Sequence, residues 1–208
     1  MSEQSKVQAV YAAEDLVQQR DAYDDWAASY EPEICAMGYR IPALISGLFA
    51  RYVPADASPI LDAGCGGGIQ AEPLALMGYG PLIGIDLSEG MLAIAREKQI
   101  YSQLHTMTLG EHLDFPSDHF AAVVSSGTIT QNHAPPHSFD ELVRVAKPGA
   151  MIIFTLRCDP GIDPAYAAHI EKLEAQGKWR NRFSTAPVKT MPYGEPDVLH
   201  KGHVFEVL

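Results

Sequence analysis

The 208 residues, 47% of them apolar, suffice for one full hydrophobic core, and this length favours a single domain over two. A formal charge of −11 repels a phosphate backbone or an anionic bilayer, and no basic patch offsets it, so neither nucleic acid nor membrane is expected as a partner. Three cysteines, Cys35, Cys65 and Cys158, are too few and too far apart for a disulfide framework or a zinc site, which fits a reducing cytosol and no metal.

The opening "MSEQSKVQAVYAAEDLVQQR" lacks an apolar segment of signal-peptide length, and no later run approaches a membrane span, so a cytoplasmic location is expected. From Val7 to Ala50 the text reads as helices: "VQAVYAAEDLVQQRDAYDDWAASY", then an irregular "EPEICAMGYR", then "IPALISGLFARYV" with Pro42 in its first turn and Pro54 as its stop. Beyond Pro54 short apolar runs alternate with helical segments, the signature of a parallel sheet. The expected strands are "PILDAG", "PLIGIDL", a weak "LHTMTLG", "AAVVSSG" and "MIIFTLR". Between them lie the expected helices "IQAEPLALMG", "EGMLAIAREKQI" and "SFDELVRVAK", the last two capped by Ser88 and Ser138. A helix "PAYAAHIEKLEAQG" closed by Gly177 follows. The runs "WRNRFSTAPVKTM" and "VLHKGHVFEVL" are too close together for a helical crossover and predict an antiparallel hairpin. His200 and His203, an odd number apart on the last strand, point to opposite faces, one to the surface and one to the core.

The stretch "ILDAGCGGGIQ" places glycines at the first strand-to-helix turn, where an open parallel sheet receives its ligand. Without Cβ atoms a ligand can approach the amides closely. Gly66, Gly68 and Ala71 satisfy the dinucleotide spacing G-x-G-x-x-A, so a nicotinamide cofactor is one possibility. Asp62 argues against it, because a carboxylate at the strand mouth repels a pyrophosphate and attracts an ammonium. Asp86, ending the next strand in "IGIDLS", can accept from both hydroxyls of a ribose and supports a nucleoside of either class.

"ILDAGCGGG", "IGIDLSEGMLAIAREK", "LDFPSDHFAAVVSSG" and "ELVRVAKPGAMIIFTLR" together resemble, in order and spacing, the motifs of class I S-adenosylmethionine-dependent methyltransferases. "YDDWAASYEPE" and the "NHAPP" loop further resemble the small methyltransferase-like group that includes the Williams-Beuren-region methyltransferase. The resemblance implies an α/β, Rossmann-like, seven-stranded, mostly parallel sheet with an antiparallel C-terminal hairpin and helices on both faces. It also implies an N-terminal helical lid, residues 1–55, before a core over 58–208, and S-adenosyl-L-methionine as cofactor. Asp62, Gly64, Cys65 and Gly66 would surround its methionine part, Asp86 its ribose, and Leu87 and Met91 its adenine face. Gly110 and Glu111 would lie along the adenine edge, and Ser125 and Ser126 beside the methionine tail. Leu109 departs from the pattern, standing where relatives often carry an Asp that bonds the adenine amino group.

Methyl transfer from a sulfonium is an in-line displacement that asks mainly for orientation and desolvation, so an obvious acid/base pair is not required. Tyr23, Trp26 and Tyr30 fall on one helical face, the pattern of a packed seam, while the resemblance makes this segment a wall of the acceptor pocket. Tyr39 and Arg40 are expected to point inward. His133 and His137 flank "APP" beside the place of methyl transfer, and His133, Tyr30 and Tyr39 are the candidate catalytic groups. The leading expectation is methylation of a small molecule. The alternatives are a nicotinamide-dependent oxidoreductase and a non-methylating S-adenosylmethionine-binding protein.

Overall fold

The computed structural model describes residues 6–131 and 133–208, so the first five residues of the opening stretch and Asn132 of the "NHAPP" loop lie outside it. The chain begins with α1 (Lys6–Tyr11) and α2 (Leu16–Ala36), the second capped by Asp15, whose carboxylate accepts from the Gln18 N–H at 2.9 Å. Where the sequence pattern predicts an irregular link after Tyr30, α2 instead continues through Pro32 to Ala36. Pro32 and Ala28 are both exposed, so water takes the carbonyl that the missing proline N–H leaves free. Next comes α3 (Ile41–Tyr52), with Pro42 in its first turn as expected.

The remaining elements are β1 (Ile60–Ala63), α4 (Ala71–Leu76), β2 (Leu82–Asp86), α5 (Glu89–Glu97), β3 (Tyr101–Thr106), β4 (Phe120–Ser125), α6 (Ser138–Val145), β5 (Ala146–Arg157), α7 (Ala165–Ala175), β6 (Trp179–Ser184), β7 (Val188–Lys189) and β8 (Leu199–Val207). The sheet runs β3-β2-β1-β4-β5-β8-β6. The first five strands are parallel, and β8 lies antiparallel between β5 and β6, so the two C-terminal strands pair as expected. An eighth strand is added to the expected seven, because "WRNRFSTAPVKTM" divides around Pro187 into β6 and β7, and β7 pairs with β8 alone. The weak third strand starts three residues earlier than predicted and stops at Thr106, after which the Met107 N–H turns to the Asp86 carbonyl at 3.0 Å.

Strand alternation divides the core into two layers. Leu61, Ile83, Val123, Ile152 and Phe154 face α6 and α7, packed with Phe139, Leu142 and the fully buried Trp179. Ile60, Leu82, Val124 and Ile153 face α3 and α4, against Ile45, Phe49 and Leu74. Ser88 caps α5 as predicted, accepting from the Met91 N–H at 3.0 Å. Ser138 does not cap α6: Pro135 and Pro136 already start the turn, His137 takes the cap position, and the Ser138 hydroxyl is buried in the first helical turn. Both C-terminal histidines are sheltered, on opposite faces of β8. His200 is 5% exposed and bonds Thr190 Oγ1 at 2.8 Å, while His203 stacks on Phe154 at 5.1 Å and bonds Ser184 Oγ at 2.9 Å. No described helix is long and apolar enough to cross a membrane.

Candidate active site

The order of the sheet reverses between β1 and β4, and the loop from Gly64 to Gln70 leaves the carboxyl end of β1 at that switch point. The amides of Gly64 and Cys65 both donate to the Ile85 carbonyl, at 2.8 and 2.9 Å, which ties the loop to β2. Gly64 has φ +77°, and a Cβ there would lie 2.5 Å from Thr128 Oγ1. Gly64→Ala is therefore expected to cost about 2 to 3 kcal/mol, a fall in Tm of roughly 4 to 12 °C, which calorimetric melting checks. An unchanged Tm would mean that the loop relaxes freely. Gly66, at φ +52°, differs: its missing Cβ points into open space, so the bare backbone faces the cleft.

Beneath the loop, Asp62 is fully buried. It accepts from Gln70 Nε2 at 3.2 and 3.3 Å and from the Tyr101 hydroxyl at 2.7 Å, and Gln70 also donates to the Cys65 carbonyl at 2.9 Å. Burial outweighs these bonds and pushes the Asp62 carboxyl up to about 6. Cys65 is buried beside it with its thiol pushed well above the ordinary range, so it packs as a small residue and is no nucleophile.

Asp86, at the end of β2, reaches back over the loop. Its carboxylate accepts from the Gly66 N–H at 2.9 Å and from the Ser88 N–H at 2.9 Å, leaving further lone pairs on both oxygens for a ligand. Burial raises its pKa against those bonds. Helix α2 is fastened above this point by polar contacts. Asp24 accepts from the Gly90 N–H at 2.8 Å and from the Ser88 hydroxyl at 2.5 Å, and Lys98 pairs with Glu31 at 2.7 Å and with Glu72 at 3.0 Å.

A cleft of about 730 Å³ lies between this loop and α2. Of the residues that the resemblance assigns to the cofactor, Gly64, Cys65, Gly66, Asp86, Leu87, Met91 and Ser126 line it. Asp62 and Ser125 do not: Asp62 lies under the loop, and the Ser125 hydroxyl is turned inward to the Ala63 carbonyl at 2.8 Å. Gly110 and Glu111 also fall outside the lining. Gly110 is packed against Pro135, with its carbonyl toward His137 Nε2 at 3.1 Å, and Glu111 is exposed, so Met107, Thr108 and Leu109 form that edge instead. Leu109 is 8% exposed and supplies an apolar contact where an Asp would supply a bond. The Ser126 hydroxyl is buried without a partner among the described residues, in a lining it shares with the glycine-loop backbone and the ribose-competent Asp86 carboxylate. This donor set fits a nucleoside cofactor carrying an amino acid.

A second cleft of about 600 Å³ adjoins the first. Tyr23, Tyr30, Tyr39, Gly127 and His133 line both and form the junction. Burial holds all three phenols above their usual range, so they act there as hydroxyl donors and not as bases. Burial moves His133 the other way and keeps its imidazole neutral. Its Nδ1 lies 3.3 Å from the Gln131 carbonyl, which makes Nδ1 the protonated nitrogen and Nε2 the accepting one. The ring sits edge-on to Tyr11 and Tyr23. Trp26 stays in the seam, 4% exposed, with its indole N–H donating to Glu33 at 2.8 Å. Arg40 does not point inward: it is exposed at the cap of α3, with its amide tied to the Thr190 carbonyl. His137 is likewise held structurally, by Gly110. Among the described residues no three His, Cys, Asp or Glu side chains gather as a metal site needs.

Gln70, Tyr101, Thr128 and the polar group Thr130, Arg157 and Glu195 were not anticipated as site residues. Gln70 adjoins the glycine run, Thr128 and Thr130 follow the motif that ends at Gly127, and Arg157 ends the last motif, whereas Tyr101 and Glu195 stand near no motif.

Residues 61–154 match the family described as Methyltransferase domain. Methyltransferase-like protein 27 of Homo sapiens is 33% identical over 181 residues, spanning 84% of this chain and 74% of that protein. Magnesium protoporphyrin IX methyltransferase (ChlM) from Synechocystis PCC 6803, solved with bound SAM, shares the fold at TM-score 0.62 and 17% identity, covering 98% of this chain and 90% of its own. The [4+2]-cyclase SpnF shares it as well, at TM-score 0.63 and 18% identity, over 78% of this chain and 80% of the cyclase.

Proposed function

The chain belongs to the class I S-adenosylmethionine-dependent methyltransferases, and from that membership we propose that it transfers a methyl group, by in-line displacement, to a small-molecule acceptor. The observation that carries this proposal is the pair of clefts meeting at Tyr23, Tyr30, Tyr39, Gly127 and His133. Membership also sets aside the nicotinamide-dependent alternative raised by the Gly66, Gly68 and Ala71 spacing.

The cofactor, when bound, supplies an electrophilic methyl group on a sulfonium that is already a good leaving group. In the first cleft Asp86 takes the ribose, Leu87 and Met91 the adenine face, and the Gly64 to Gly66 backbone with Ser126 the methionine part. Of the expected lid, residues 1–55, helices α1 and α2 cover the junction and exclude water from it, while α3 packs against the sheet as part of the core. Tyr30 and Tyr39 orient the acceptor by donating hydrogen bonds, and His133 Nε2 takes the proton of a hydroxyl acceptor. A cleft of about 600 Å³ under a helical lid suits a compact ligand, and a solved neighbour of the same fold is named for a porphyrin substrate. The strong net negative charge disfavours nucleic acid.

Because a cyclase shares the fold, activity has to be tested directly. Calorimetry should show binding of S-adenosylmethionine and S-adenosylhomocysteine, and a panel of phenols, amines and thiols should release S-adenosylhomocysteine. Binding of neither ligand sinks the proposal, and binding without any release makes the protein a non-methylating binder. For a hydroxyl acceptor, His133→Ala is expected to lower kcat by roughly 10²-fold. With its pKa depressed, His133 stays a base below pH 6.5, so the wild-type rate should fall only on the acid side of that value, and this limb should vanish in the variant.

A further inference from the structure

We infer that the second cleft selects an acceptor bearing a cationic amino group, and that Glu195 is the residue that reads it. Resting on the assignment of that cleft to the acceptor, the inference starts from two polar atoms left over. Glu195 Oε2 and Thr130 Oγ1 are both buried without a hydrogen-bond partner among the described residues, both line the second cleft, and neither lines the first. Buried acceptors and hydroxyls without partners carry a desolvation penalty that a ligand donor removes.

The sign of that ligand follows from the charges around Glu195. Among the described residues Arg157 is the one lysine or arginine in the lining, and its Nε and Nη2 are occupied by Asp159, at 3.0 and 2.8 Å, with the Tyr11 ring 5.8 Å from its guanidinium carbon. The pair is neutral as a unit. His200 and His133 are held uncharged by burial, and the phenols of Tyr11, Tyr23, Tyr30 and Tyr39 are held protonated. Among the described residues, Glu195 is thus the one unbalanced charge in the lining, and burial raises its carboxyl pKa despite the nearby Arg157. An anionic ligand meets repulsion there and finds no unpaired fork on Arg157. An ammonium meets a carboxylate, an accepting hydroxyl and a lining rich in tyrosine side chains. The main chain that carries this carboxylate is held in place, because the Glu195 N–H donates to the Met191 carbonyl at 2.8 Å and the Glu195 carbonyl accepts from the Val198 N–H at 3.2 Å. The amino group is the recognition element; the methylated atom sits at the junction.

Three isosteric probes test this: phenethylamine, 2-phenylethanol and phenylacetate, titrated against the full chain saturated with S-adenosylhomocysteine. Calorimetry or the fluorescence of Trp26 in the cleft wall serves as the readout. Phenethylamine is expected to bind roughly ten- to a hundredfold more tightly than the alcohol, with phenylacetate weakest. Glu195→Gln should reduce the preference for the amine over the alcohol to within about threefold. Equal or tighter binding of phenylacetate, a preference that survives Glu195→Gln, or binding of none of the three while S-adenosylhomocysteine binds, overturns the inference and leaves the proposed function standing. If S-adenosylhomocysteine itself fails to bind, the proposed function falls and the inference with it.

Discussion

Asp86→Ala is expected to weaken S-adenosylmethionine binding by about 2 to 4 kcal/mol, a loss of roughly 30- to 1000-fold in affinity. Two effects combine at this residue. On the proposed assignment the carboxylate's charge-assisted bonds to the ribose would be lost, and the Gly66 and Ser88 amides that it now holds at 2.9 Å would be released, so the glycine loop would no longer be prepared for the cofactor. Asp86→Asn keeps one carbonyl oxygen and should fall between wild type and Ala. Calorimetric titration of the three proteins checks the order, and an affinity for the Ala variant equal to wild type would mean the ribose lies elsewhere.

Between pH 7 and pH 4.5 the protein is expected to lose about 3 kcal/mol of stability, mainly through His200 and His203. Burial lowers both to about 4 in the folded chain, against about 6.5 when unfolded. The unfolded chain therefore binds protons first. The histidines' contribution is complete above pH 6.5 and disappears as pH falls toward 4, at roughly 2 to 3 kcal/mol each by pH 4.5. Asp62 works in the opposite sense. Raised to about 6 from an ordinary 3.8, it favours the folded state below 3.8 and loses that contribution as pH rises through 6, offsetting about 2 kcal/mol at pH 4.5. His203→Phe keeps an aromatic ring over Phe154 and removes one titration, so urea unfolding at the two pH values should show the gap reduced by roughly 2 kcal/mol. An undiminished gap would assign the acid sensitivity to other groups.

Much of the catalytic core is legible before folding, because its signals are local. Short continuous apolar runs give β1, β2, β4 and β5, Ser88 caps α5 through a hydroxyl three residues from its partner amide, and positive φ at Gly64 and Gly66 explains the glycines of the first loop. The failures share a cause. Helix α2 passes Pro32 because the turn is exposed to water, and Ser138 is displaced from its cap by a turn that two prolines begin. Asp62, which reads as a ligand for an ammonium, shares the strand face of Ile60 and is turned under the loop toward Gln70 and Tyr101. Each outcome depends on what surrounds the residue, which short-range patterns do not encode.

The sequence by itself determined a parallel sheet with a glycine-floored cofactor loop, since backbone sterics and side-chain alternation act over a few residues and leave their period in the text. Tertiary structure alone decided the second cleft. Thr130, Arg157 and Glu195 come from three separate loops and strand ends, and Tyr11, Tyr23 and Tyr30 from helices at the other end of the chain. Only the placement of α1 and α2 beside the loop after β4, the end of β5 and the turn before β8 brings them to one cavity, because burial and electrostatic balance are properties of the assembled surroundings and not of neighbours in sequence.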